Sequence, residues 1–155
     1  MSGFDDGRVA TPLDGSIDDP YNLERFVRAQ STEYDRAVTE LRSGKKYTHW
    51  MWFVFPQIEG LGHSLLSYRY AIKGEAEARA YLSHPILGPR LRECAQIVVS
   101  TNGRTAHEIF GSPDDMKLRS CATLFARVSE DPIFQQILDK FFDGEPDERT
   151  LLLLD

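Results

Sequence analysis

Three short start signals, spread along the chain, constrain its fold more than any other feature. Each is an aspartate or serine followed directly by proline, at Asp19-Pro20, Ser112-Pro113 and Asp131-Pro132. The first residue can cap a helix start, and the proline has the backbone angle that a first helical turn needs. These signals predict a mainly α-helical protein, because apolar residues at helical spacing follow each of them. In chain order, the apolar residues after the three signals are Leu23, Phe26 and Val27; Leu118, Cys121, Ala122, Phe125 and Val128; and Ile133, Phe134, Ile137, Leu138 and Phe141.

We expect one all-α domain, a compact bundle of about seven or eight short helices over residues 18–155. Residues 1–17 combine Gly, Asp, Thr and Pro with few spaced apolar residues, which is typical of a flexible tail. A hydrophobic fraction of 41% in 155 residues is enough for a core. No segment of 20 to 50 residues repeats, which argues against a repeat fold.

The first third of the chain is expected to hold two helices. The first follows the earliest start signal, and Ser31-Thr32 offers a cap for a second that ends at Gly44. Residues 48–55 are nearly all apolar and fit a buried helix or a buried strand, of which we favour the helix. Strands remain open at Val54 and at Val98-Val99, where β-branched residues concentrate.

Charge and hydropathy argue against two classes of partner, nucleic acids and membranes. The formal net charge is −6, and the basic residues are dispersed rather than grouped into a patch. No apolar run approaches the roughly 20 residues that span a bilayer.

Two cysteines, Cys94 and Cys121, both lie within helical apolar patterns. Buried free thiols are common at such positions. The N-terminal residues lack a basic stretch followed by an apolar one, so we expect no signal peptide. Together these features predict a cytoplasmic protein.

One stretch combines stacking surfaces, a permissive backbone and polar side chains, and it is the candidate ligand site. Residues 49–57 carry two tryptophans among other aromatic residues, and residues 60–64 form the loop Gly-Leu-Gly-His-Ser. Aromatic faces can stack on a planar ligand, although such a cluster also suits a core. The candidate ligand-binding residues are His49, Trp50, Trp52, Gln57, Gly60, Gly62, His63, Ser64 and Arg69.

The glycine loop has two interpretations. Glycines let backbone N–H groups approach an anion, and a following helix start adds positive potential. A dinucleotide-binding fingerprint would need a third glycine where Leu65 stands, and no Gly-Lys-Ser/Thr ending follows. A purely structural turn is the alternative.

No pattern identifies a reaction, a metal site or a cofactor, so whether the protein is an enzyme stays open. The four histidines, at positions 49, 63, 84 and 107, lack metal-ligand spacing. His63 beside Ser64 does not make a catalytic pair without a third, orienting acid. Lys117 is expected to pair locally with Asp114 or Asp115.

Several motifs together resemble an uncharacterised family known as domain of unknown function 1810. They run over roughly residues 19–154, and the most unusual is residues 49–58 followed by residues 60–64. The resemblance implies a small, mainly α-helical, mostly bacterial protein of a type also found as mycobacterial hypothetical proteins. Some members have been labelled calpastatin-like. The resemblance to this family implies no catalytic residue. The other matching positions are Glu75-Ala76, Tyr81-Leu82, Phe110-Gly111, Asp115, Lys117-Leu118, Ser120 and Thr123-Leu124-Phe125.

Two functional hypotheses follow. The first is a domain that binds a small molecule, either nucleotide-like or otherwise anionic, at residues 49–57 and 60–64. The second is a non-catalytic module that binds another protein or a second copy of itself through an apolar surface that includes residues 151–154. An enclosed cavity beside Trp50, Trp52 and Gln57 would favour the first, and a filled core the second.

Overall fold

The computed structural model describes residues 18–154, which fold into an all-α domain. These residues contain no β-strand, and one isolated parallel bridge joins Ile58 to Ile72. The predicted tail over residues 1–17 lies outside the described residues. The nine helices of the described residues are α1 (Glu24–Ser43), α2 (Met51–Val54), α3 (Leu65–Arg69), α4 (Glu75–Ser83), α5 (Leu87–Ser100), α6 (Ala106–Phe110), α7 (Asp114–Val128), α8 (Ile133–Phe141) and α9 (Glu148–Leu154).

The first third of the chain forms one long helix rather than the two that were predicted. Helix α1 runs without a break through Ser31 and Thr32. The Ser31 hydroxyl donates to the carbonyl of Arg28, one turn back, instead of capping a new start. A serine inside a helix commonly makes this bond, so its presence did not require a boundary. Gly44 ends the helix in the left-handed conformation, as predicted.

Aspartate side chains cap two of the predicted helix starts, at Asp19 and at Asp131, where the Asp131 carboxylate accepts from the Ile133 N–H at 3.0 Å. The Asp19 carboxylate accepts from the backbone N–H groups of Leu23 and Glu24, at 2.7 and 3.0 Å. At α9, the carboxylate of Asp147 accepts from the backbone N–H of Thr150, at 3.0 Å. These bonds satisfy N–H groups that have no partner within the helix.

Helix α7 lies at the centre of the bundle and packs against α4, α6, α8 and α9. Helix α5 packs against α1, α4 and α8, so α5 and α7 share the neighbours α4 and α8. Both cysteines are unpaired and buried in this core, as predicted. Burial raises the pKa of the Cys94 thiol to about 12 and that of Cys121 well above its usual value. No helix among residues 18–154 is both long and apolar enough to cross a membrane.

Candidate functional site

A cleft of about 700 Å³ opens between the segment after α2 and the starts of α7 and α9. Its wall on one side is the loop that contains the predicted glycines, and on the other side the first turns of α7. The lining residues are Trp52, Gln57, Ile58, Glu59, Gly60, Leu61, Gly62, His63, Ser67, Tyr68, Tyr70, Ala71, Pro113, Met116, Lys117, Ser120, Asp147 and Arg149.

The two tryptophans have different surroundings, although only one residue separates them. Trp50 is fully buried in the core, and its indole N–H donates to the Glu40 carboxylate at 2.9 Å. Trp52 is only half-buried and lines the cleft. Its indole nitrogen is buried yet has no hydrogen-bond partner among the described residues. A buried donor without an acceptor costs about 1 to 3 kcal/mol, so it is uncommon in a region built only for packing.

Glu40 fixes the aromatic segment to α1. Its carboxylate accepts from the backbone N–H groups of Tyr47 and Thr48, the Thr48 hydroxyl and the Trp50 indole. Burial by itself would raise the pKa of this carboxyl, but the hydrogen bonds outweigh it and hold the pKa at about 2. The chain entering α2 is therefore held rigidly, which sets the direction of the Trp52 side chain.

A short backbone pairing holds the far wall of the cleft. The Ile72 N–H donates to the Gln57 carbonyl and the Glu59 N–H donates to the Ile72 carbonyl, both at 2.8 Å. The Gln57 and Glu59 backbones are fixed by these bonds, while their side chains stay available to the cleft.

Each glycine in the loop has a steric reason. Gly60 has a φ of +105°, a conformation that side-chain-bearing residues rarely adopt. At Gly62, an added β-carbon would overlap the Ser67 hydroxyl and lie 2.7 Å from the Ser67 β-carbon. Ser64 caps α3, because its hydroxyl accepts from the Ser67 N–H at 3.0 Å. Local packing thus accounts for the glycines without an anion at the backbone.

The cleft brings together five of the nine residues predicted as ligand-binding, and four lie elsewhere. His49 lines a separate shallow groove beside Phe53, and Trp50 is in the core. The carbonyl of Arg69 accepts from the Arg25 side chain, and neither Ser64 nor Arg69 lines the cleft. The five residues that line it are Trp52, Gln57, Gly60, Gly62 and His63.

Sequence reasoning missed the half of the cleft that α7 and α9 contribute. Met116, Lys117, Asp147 and Arg149 lie at least 50 residues along the chain from the predicted segment. Their approach depends on how the helices pack, and no local pattern encodes it. Lys117 does pair with Asp114, as predicted, with 3.1 Å between Nζ and Oδ1.

Asp114 pairs with a second lysine, so two cations share one carboxylate at the start of α7. Lys46 Nζ lies 2.8 Å from Asp114 Oδ2. Each lysine also stands over a tryptophan ring: Lys46 is 5.1 Å from the centroid of Trp50 and Lys117 is 4.5 Å from that of Trp52. The result is a row of two lysines and one aspartate with an excess positive charge.

Several polar side chains of the cleft have no protein partner. Those of Gln57, Glu59, His63, Tyr68 and Arg149 make no hydrogen bond or ion pair with other residues in the described range. The Ser64 and Ser67 hydroxyls bond to each other, at 2.9 Å. The lining therefore offers groups that can bind and orient a ligand, but it contains no assembled pair of nucleophile and base.

Comparisons with known proteins agree with the all-α fold. Over 88% of its length, the chain is similar to the crystal structure of the conserved hypothetical protein Rv1873 from Mycobacterium tuberculosis, with 52% identity, a TM-score of 0.87 and 98% of that protein covered. No curated protein matches the chain. The family described as "protein of unknown function (DUF1810)" matches residues 20–154. The chain therefore belongs to the DUF1810 family.

Proposed function

We propose that this protein binds a small molecule in the cleft between Trp52, the loop at residues 60–63 and the first turns of α7. The carrying observation is the cleft of about 700 Å³, within the range of about 300 to 1,000 Å³ usual for ligand sites. Its walls combine apolar surface with a few polar side chains that have no partner within residues 18–154.

An unsatisfied hydrogen-bond donor at the wall of the cleft supports this proposal. Natural proteins satisfy most of their buried polar groups, and the Trp52 indole N–H is an exception that lies at the cleft wall. A ligand that shifts the wall slightly and presents an acceptor there would remove this cost. Gln57, with its backbone fixed and its amide available, would orient the same ligand.

The site can be tested by screening the purified protein against a panel of nucleotides and metabolites while observing the two indole N–H signals by NMR. A ligand in the cleft should shift the Trp52 signal, because this indole lines the cleft. The Trp50 signal should move little, since its N–H is bonded to Glu40 inside the core. A panel that shifts neither signal, or shifts only Trp50, would contradict this assignment.

A substitution at Gln57 then measures its contribution. Gln57→Ala should weaken binding of any such hit by about 1 to 3 kcal/mol if its amide hydrogen-bonds the ligand. Gln136→Ala is the matched control, because Gln136 is exposed on α8 and does not line the cleft. Titration calorimetry on both variants gives the comparison. Equal affinities for the two variants would remove Gln57 from the site.

A protein partner is the second candidate function, and exposed apolar side chains favour it. Leu65 and Tyr68 of α3 are 87% and 69% exposed, and Leu152 of α9 is 74% exposed. Such residues can form the edge of an interaction surface. Sedimentation analysis tests one form of it: a concentration-dependent dimer that Leu65→Ser abolishes would support self-association.

We also propose the cytoplasm as the compartment. Two unpaired thiols in the core support a reducing environment. The net charge of −6 supports a ligand other than nucleic acid.

A further inference from the structure

We propose that the ligand of this cleft is a small amphipathic anion, with an apolar or aromatic body and one carboxylate, sulfonate or phosphate group that Lys117 binds. This inference rests on the proposed function, because it names the class of molecule that the same cleft accepts. It depends on where the positive charge lies and on which donors remain available.

The two lysines at the start of α7 carry more positive charge than their shared aspartate neutralises. Lys46 and Lys117 share the single carboxylate of Asp114, so one positive charge is not balanced within this row. The Lys46 side chain is only 7% exposed, whereas that of Lys117 is 21% exposed and lines the cleft. The excess charge is therefore accessible to a ligand at Lys117. An ammonium group has three N–H donors, and one ion pair leaves donors for an incoming anion.

Three backbone N–H groups near the start of α7 already have acceptors within the protein. Asp115 donates to the Gly111 carbonyl, and Met116 and Lys117 donate to the Pro113 carbonyl. The glycine loop is shaped by packing against Ser67. Lys117 is the mostly buried cation that lines the cleft, so we expect its side chain to bind an anion there.

Two carboxylates, those of Glu59 and Asp147, also line the cleft. Asp147 Oδ2 accepts from the N–H and the hydroxyl of Thr150, at 3.0 and 2.6 Å, so its charge is directed toward the start of α9. Glu59 is exposed, where water screens its charge. Arg149 is also exposed and can offset Glu59. Repulsion of an anion beside Lys117 is therefore limited.

The rest of the lining defines the body of the ligand. Ile58, Leu61, Tyr70 and Met116 give the cleft an apolar wall next to the lysine. An entirely polar anion would leave this wall exposed to water, and an entirely apolar molecule would bury the remaining N–H donors of Lys117 without an acceptor. A molecule with an apolar body and an anionic group covers the apolar wall and also provides an acceptor for Lys117.

Two dyes that share a ring system test this inference directly. The anionic probe is 8-anilinonaphthalene-1-sulfonate, and N-phenyl-1-naphthylamine is the same molecule without the sulfonate. Lys117→Met keeps the aliphatic part of the side chain, and Asp114 keeps its pair with Lys46, so the fold should persist. Lys73→Met is the control of equal charge change, because Lys73 is exposed and does not line the cleft.

We expect Lys117→Met to weaken binding of the sulfonate dye about tenfold and binding of the neutral dye less than twofold. Lys73→Met should change neither affinity more than twofold, and Lys117→Arg should restore sulfonate binding. If Lys117→Met weakens the affinity for both dyes equally, or leaves the affinity for the sulfonate dye unchanged, the inference is overturned.

The dyes also separate this inference from the proposed function. If wild-type protein binds the neutral dye with a shift of the Trp52 indole signal but does not bind the sulfonate, the anion inference fails and the cleft remains a binding site. If neither dye binds, the inference fails as well, and the metabolite screen then decides the proposed function independently.

Discussion

Single residues in this protein acquire their roles from partners that the local sequence does not reveal. Trp50 and Trp52 are the same residue type two positions apart, yet one donates to Glu40 in the core and the other has a buried indole N–H with no partner in the part of the chain that the structure describes. Glu40 causes this difference, because its carboxylate accepts from the backbone N–H groups of Tyr47 and Thr48 and from the Trp50 indole N–H. A carboxylate on the predicted second helix would ordinarily be assigned to solvent.

Glu40→Gln should therefore destabilise the fold by about 2 kcal/mol near neutral pH, since a neutral amide accepts these hydrogen bonds more weakly. The effect should depend on pH. The folded-state pKa of about 2 lies below the usual pKa of about 4.3 for glutamate. The carboxylate therefore stabilises the fold fully at pH values above about 4.3, and this contribution is lost as the pH falls toward 2. Denaturant unfolding from pH 7 to pH 2 gives the measurement.

The variant provides its own control in that titration. Wild type should lose stability between about pH 4.3 and 2 more steeply than Glu40→Gln, because the variant lacks the titrating group. Parallel stability curves for the two proteins over this window would show that Glu40 is not the group responsible.

At the scale of helices, close contacts between neighbours decide which positions tolerate a side chain. Helix α5 begins four residues after the end of α4 and packs against it. Gly88, in the first turn of α5, is buried. A β-carbon at Gly88 would overlap the Leu82 carbonyl oxygen and lie 3.0 Å from the carbonyl carbon. Both neighbours are backbone atoms, so they cannot rotate away as a side chain would.

Gly88→Ala should therefore cost about 2 to 3 kcal/mol, because α4 and α5 must move apart to admit one methyl group. Gly74→Ala is the matched control. Gly74 precedes α4 with an extended φ of 168°, and no atom lies within 4 Å of an added β-carbon there. Its cost should stay below about 1 kcal/mol. Thermal unfolding of both variants makes the comparison, and similar losses would contradict the steric argument.

For the whole molecule, the sequence predicted the helical class more reliably than the arrangement of helices. Start signals act over one turn, so the caps by Asp19 and Asp131 could be predicted from the local sequence. The continuity of α1 could not, because a serine suits both a cap and a helix interior. The cleft was predicted on one wall only. Its other wall comes from α7 and α9, whose approach depends on packing across the entire core.

The two thiols test whether that core opens as one unit. Cys94 of α5 and Cys121 of α7 are both buried in the same hydrophobic cluster, and burial raises both thiol pKa values. A thiol reagent attacks only the exposed thiolate, so native labelling should be slower than in the unfolded chain by several orders of magnitude. Because α5 and α7 share the neighbours α4 and α8, one opening event should expose both cysteines.

We therefore expect both thiols to react with an aromatic disulfide reagent at the same rate, and this rate to rise with denaturant as steeply as global unfolding does. The single variants Cys94→Ala and Cys121→Ala separate the two signals, with the unfolded chain as the reference for full reactivity. If Cys94 reacts much faster than Cys121, or its rate does not depend on denaturant, then α5 detaches from the bundle on its own. The core would then be two cooperative units, because α7 would stay packed while α5 opens.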